Sequence, residues 1–141
     1  MGQTKKKVFF NASVIIAGLI SPTGGSGKLI HWSLKCKIDG VISEIVFNEV
    51  LSHLNKVNRN ESDVRKIIVT SFAVVSRPKG SIINKYKKGV ADEGDAHVLA
   101  SASETKSKYL VTHDKKHLLV LKNKIKEFKI ITPKELINEL S

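Results

Sequence analysis

Val8-Phe-Phe-Asn-Ala-Ser-Val-Ile-Ile-Ala-Gly18 decides how the rest of this chain is read. Its first half is an unbroken apolar run rich in aromatic and β-branched side chains, the pattern of a buried strand. Asn11 falls near the end of that strand. Outward from it, strand and helix signals alternate. Ser21-Pro-Thr-Gly-Gly-Ser-Gly27 reads as a loop. Leu29, Ile30, Trp32, Ser33 and Cys36 then recur at helical spacing. Gly40 to Ser43 is a short strand, and Ser43 is placed to cap a helix whose apolar face is Ile45, Val46, Val50, Leu51 and Leu54. A helix is expected over Glu61 to Phe72, with Val64, Ile67, Ile68 and Ser71 on one side. A strand follows over Ala73 to Ser76. Gly94 to Ser103 is an alanine- and serine-rich helix, and Tyr109 to Thr112 a strand. His117 to Leu121 is a helical turn or two, and Lys129 to Thr132 a last strand. Thr132-Pro133-Lys134-Glu135 opens the closing helix with an N-cap, a proline at N1 and an acid at N3. Interleaved strands and helices predict an α/β fold: a three-layer α/β/α sandwich around a short parallel sheet of four or five strands. The expected organisation is one domain over residues 1–141, with its core at about 7–140.

Composition narrows the class. A chain of 141 residues with 41% apolar and 26% charged residues has the make-up of a soluble globular protein. No apolar run approaches the roughly 20 residues of a membrane span, and the basic start, Met1 to Lys7, leads into no signal-peptide core. The single Cys36 makes no internal disulfide, which suits a cytoplasmic location. The net charge is +11, from 24 Lys and Arg against 13 Asp and Glu. That excess favours a polyanionic partner such as RNA; a lysine-biased, solvated surface is the plainer account. Only three arginines are present, Arg59, Arg65 and Arg77, which argues against base-specific reading of a duplex. The lysines are dispersed in small groups, as in a broad field.

In parallel α/β sheets ligands sit at the carboxyl ends of the strands. Four polar positions reach that end: Asn11 after the first strand, Glu49 on the helix after the second, Asp95 in the first turn of the Gly94 helix, and Asp114 directly after the Tyr109 strand. Mg²⁺ and Mn²⁺ take oxygen ligands, often one or two carboxylates with water and a substrate phosphate. Acids gathered without a cation raise one another's pKa, so their convergence would itself call for a metal. Taken singly, Glu49 is equally a solvated helix residue and Asp95 a dipole-favoured N-terminal acid.

At these residues the chain resembles the PIN-domain proteins, the class that includes VapC-type toxins of bacterial and archaeal toxin–antitoxin systems. The resemblance runs from about Lys7 to Leu140. Val8 to Gly18 resembles the opening strand, which normally carries Asp where Asn11 stands. Ser21 to Ser26 resembles the loop that follows in one subgroup, and Ser43 to Leu51 the segment bearing the second acid. Asp92-Glu-Gly-Asp-Ala-His-Val-Leu-Ala-Ser-Ala102 is similar to the Asp-x-x-Asp helix start. Tyr109-Leu-Val-Thr-His-Asp114 is similar to the strand with the fourth acid, and Ile131 to Leu136 to the closing helix. The resemblance implies a Mg²⁺- or Mn²⁺-dependent endoribonuclease, the toxin of a toxin–antitoxin pair. Asn11, Glu49, Asp95 and Asp114 would be its catalytic and metal-binding set. Asp92, Ser13 and Thr112 would stand behind them, though a plain helix-preceding acid and local hydrogen bonding are the preferred accounts of those three. RNA, a cognate antitoxin and a second copy of the chain are the implied partners.

Asn11 departs from the family pattern. An amide oxygen still coordinates a cation, but one negative charge is lost. Three accounts stand: an engineered Asp→Asn change, a natural PIN protein with weakened or lost catalysis, and an enzyme that works with Asn. Under the second, a non-catalytic RNA- or protein-binding module is the competing function. Other motifs fail on their own chemistry. Pro22 to Leu29 lacks the first Gly and the final Ser or Thr of a P-loop. His113-Asp-Lys-Lys-His117 lacks the Glu of a zinc-protease helix and begins at a strand end.

Overall fold

The computed structural model describes residues 5–90 and 92–141. Met1 to Thr4, the first part of the basic start, lie outside the described residues. Among the described residues there are five strands: β1 (Lys7–Phe10), β2 (Asp39–Ser43), β3 (Ala73–Val75), β4 (Tyr109–Val111) and β5 (Lys129–Ile131). They form one sheet in the order β3-β2-β1-β4-β5, with every neighbouring pair parallel. Val8, Phe9, Phe10, Ile42, Leu110 and Val111 are fully buried, which is why these short strands carry continuous apolar runs instead of alternating ones.

The helices are α1 (Ala12–Ile20), α2 (Gly25–Leu34), α3 (Glu44–Leu51), α4 (Glu61–Ser71), α5 (Gly80–Lys87), α6 (Glu93–Glu104) and α7 (Pro133–Leu140). Packing links α1, α2, α3, α4 and α7 into one set, while α5 and α6 pack on each other, with α6 against β4. The expected α/β/α sandwich is therefore what forms. Its helix starts are chemically marked. Ser43 accepts from the Val46 amide at 3.2 Å, and Asn60 from the Asp63 amide at 2.8 Å. Thr132 and Glu135 close a reciprocal capping box. Each such cap contributes about 1 kcal/mol.

Three expectations need correction. Gly25-Ser-Gly27 is the first turn of α2 and not loop. These glycines serve close packing: a Cβ on Gly27 would lie 2.1 Å from the Pro22 carbonyl oxygen, and one on Gly18 would lie 2.5 Å from Ile30 Cδ1. Cys36 lies beyond the end of α2, in the left-handed region at φ 59°. The turn near His117 is a 3₁₀ turn over Leu119–Leu121. Helix α5 was not anticipated, because its buried residues, Ile83 and Tyr86, stand among lysines and polar residues that blur the apolar period.

Candidate active site

The strand order places a switch point between β1 and β4. From β1 the chain moves outward through β2 to β3, then returns to the other side of β1. Open parallel sheets bind ligands outside the carboxyl ends of such a pair, where the departing connections leave a crevice. Asn11 and Asp114 are the polar residues delivered there. The Asn11 backbone amide donates to the Val111 carbonyl at 3.0 Å, carrying the β1–β4 ladder one step past the end of β1.

A hydrogen-bond network fixes Asn11. Its Oδ1 accepts from the Ser13 hydroxyl at 2.7 Å and from the Thr112 hydroxyl at 3.1 Å. Those hydroxyls in turn accept from backbone: Ser13 from the His113 amide at 3.2 Å, Thr112 from the Asp114 amide at 3.0 Å. The backbone groups donate, so each hydroxyl proton is free to point at Asn11. That direction of donation sets the amide with its oxygen toward the two hydroxyls and its NH₂ away from them. Both lone pairs of Oδ1 are taken. Asn11 is also the N-cap residue of α1, yet its side chain makes no capping bond; the Val14 amide donates to the Asn11 carbonyl at 3.1 Å.

Asp114 is held from one side by His117. The His117 backbone amide donates to Oδ1 at 3.0 Å, and the ring Nδ1 lies 3.1 Å from Oδ2, an ion pair when the imidazole is protonated. Asp95, in the first turn of α6, has a buried Oδ2 with no hydrogen-bond partner. Burial pushes the Asp95 carboxyl above its ordinary 3.8; Asp114 and Asp92 push the same way, and His117 opposes them. Glu49, near the end of α3, is pushed above its ordinary 4.5, first by desolvation, with Asp95 and Asp92 adding and His53 opposing. Glu49 is an exposed residue, so solvent screens these influences. Asp92 caps α6 by accepting from the Gly94 amide at 2.7 Å. Asp95 thus feels the charges of Asp114 and Asp92, and Glu49 those of Asp95 and Asp92.

Among the described residues, no three His, Cys, Asp or Glu side chains form a group able to hold a metal ion by themselves. The donor set still fits a hard cation of the Mg²⁺ type, which needs only one or two protein carboxylates beside water and phosphate. The buried, unpartnered Asp95 oxygen is what such an ion would satisfy. His117 and His53 are site neighbours that the sequence reading passed over. The signal for His117 was its i+3 spacing from Asp114, weighed there only as half of a zinc motif. His113 was treated the same way; its ring Nε2 lies 2.7 Å from the buried Ser26 hydroxyl, tying the start of α2 to the loop that carries Asp114.

A PIN domain family model matches residues 7–116. The chain belongs to the PIN domain family. Two solved structures share the PIN chain's fold. A chain of the VapBC2 complex from Rickettsia felis, which was bound to a DNA fragment from its promoter, superposes with a TM-score of 0.66 at 12% identity, covering 89% of this chain and 98% of that one. PAE2754 from Pyrobaculum aerophilum gives 0.64 at 19% identity, covering 96% and 89%. No curated protein matches the sequence closely enough to count as a relative.

Proposed function

We propose that this PIN domain is a divalent-metal-dependent endoribonuclease acting in the cytoplasm as the toxin of a toxin–antitoxin pair. The observation that carries the reading is the buried, unpartnered Asp95 oxygen at the β1/β4 switch point, pushed toward neutrality by burial and by Asp114. Asp95 and Asp114 would hold Mg²⁺ or Mn²⁺, which supplies phosphate polarisation and an activated water when bound. Glu49 would bind the ion or orient the attacking water. Asn11 contributes position: its oxygen gathers Ser13 and Thr112, and through them the backbone that aims Asp114. Its charge is absent, so cation affinity and turnover are lower than an aspartate would give. The exposed Lys115 and Lys116 beside Asp114 suit a phosphodiester backbone. The antitoxin and a second copy of the chain are the protein partners of this reading.

The second reading, an RNA-holding module without cleavage, is favoured by the same amide. With both lone pairs of Asn11 Oδ1 taken, position 11 adds no ready ligand. One experiment separates the two. The purified chain is incubated with structured and single-stranded RNA in Mn²⁺, with and without chelator, beside Asp114→Asn. Chelator-sensitive cleavage lost in the variant supports the nuclease. RNA retained intact in every tube leaves the binding module.

A further inference from the structure

In an all-parallel sheet every segment that enters a strand lies at the same end, opposite the acids. Here those segments are lysine-rich. Lys5 and Lys6 precede β1, Lys37 precedes β2, and Lys106 and Lys108 precede β4, all exposed. The acids at this end are fewer than the lysines: Glu104 accepts from the Lys79 amide and Glu127 from the Tyr86 hydroxyl. Asp39 opens β2, and Glu139 of α7 is already engaged, accepting from Tyr109 and Lys129 at 2.5 Å each. The strand-entry rim therefore carries more ammoniums than carboxylates.

The ammoniums crowd one another. Lys6 lies close enough to Lys108 to hold its ammonium below the ordinary lysine value, with Lys129 adding to the effect and Glu139 opposing it. An arrangement of like charges that costs energy in the free protein is relieved by a polyanion. Beside the lysines lies a hollow of about 480 Å³ whose walls include Lys5, Lys6, Lys37 and Trp32, closed by Glu139 to Ser141. Trp32 is partly buried, with the Lys28 ammonium 5.4 Å from its ring centroid. Ammoniums along a groove with an aromatic side chain set among them are what unpaired nucleotides take: phosphates on the charges and a base against the ring. None of the three arginines belongs to these segments, so the chemistry is backbone holding without base reading.

We infer that the amino-end rim of the sheet, Lys5, Lys6, Lys37 and Lys108 around Trp32, is a second binding surface for single-stranded RNA, separate from the acidic rim. The inference rests on RNA being the ligand of this domain, as in the proposed function, but not on cleavage. A second footprint raises overall affinity without any new contact at the acids.

Trp32 is the sole tryptophan, so its fluorescence reports this hollow alone. The full chain is titrated with an octameric uridylate oligonucleotide in chelator, at several salt concentrations. Saturable quenching is expected, with a linear fall of log affinity against log salt. Replacing Lys6, Lys37 and Lys108 together by Gln should weaken binding about tenfold and flatten that slope by about 2, at ~0.7 per lost phosphate contact. Replacing Lys56, Lys66 and Lys134 by Gln removes the same charge elsewhere and should leave the quenching curve near that of the parent. Absent quenching, or equal weakening by both triple variants, overturns the inference, as does quenching by anionic phospholipid vesicles with none by the oligonucleotide. The two proposals fail separately: rim-dependent quenching without Mn²⁺-dependent cleavage sinks only the nuclease, and cleavage without quenching sinks only the rim.

Discussion

Asp95→Asn should make the metal-free protein more stable while disabling its site. Asp95 Oδ2 is buried and unpartnered, and its carboxyl is pushed up by burial and then by Asp114 and Asp92. A buried polar group without a partner costs about 1–3 kcal/mol, more when charged. The amide keeps the shape, removes the charge and turns a donor toward acidic neighbours. A net gain of about 1–2 kcal/mol at neutral pH follows, or about 3–6 °C in Tm for a chain of this size. The pH dependence has a definite sign. A carboxyl whose folded-state pKa is raised binds its proton more tightly folded than unfolded, so its contribution is intact below the ordinary 3.8 and is lost as pH climbs through the raised value. The variant's advantage should be smallest below the ordinary 3.8 and should grow as pH climbs through the raised value. Added Mn²⁺ should reverse the order. At about 100 times its Kd it stabilises the parent by about 2.7 kcal/mol and leaves the variant unmoved. Differential scanning calorimetry at two pH values, with and without Mn²⁺, reads all of this. A variant less stable than the parent at neutral pH, or a difference independent of pH, would refute the reasoning.

Two further expectations concern the scaffold of the site. Thr112→Val leaves the part-buried Asp114 amide without its acceptor and Asn11 with one donor fewer, so denaturant unfolding should show a loss of about 1–2 kcal/mol; an unchanged midpoint would mean that the network is not maintained in solution. Gly27→Ala sets a Cβ against the Pro22 backbone, where no side chain is free to yield, and should cost about 2–3 kcal/mol in the same assay. A neutral result there would show that α1 and α2 separate easily.

The sheet was legible because each buried strand is a short apolar run bounded by polar or small residues, and the caps at Ser43 and Thr132 were legible because their chemistry is local. Helix α5 was not, since Ile83 and Tyr86 gain their burial from α6, about a dozen residues further along the chain. At the rim, strand-end position was enough to nominate Asn11, Glu49, Asp95 and Asp114. The orientation of Asn11 was beyond reach, because it depends on a hydroxyl 101 residues away. For the same reason Ser13 and Thr112 could be read only as generic hydroxyls, whereas in the fold they pass the backbone's direction to the amide. The amino-end rim was equally hidden. Its lysines are scattered through the sequence, and only parallel topology brings them to one end.

Mn²⁺-dependent RNA cleavage by this chain and by Asn11→Asp tests the central claim most directly. Restoring the carboxylate should raise the rate at least about tenfold, the scale of a lost charge-assisted contact worth 1.4 kcal/mol or more, with chelator abolishing the gain. No cleavage by either protein, with RNA still bound by both, would contradict it.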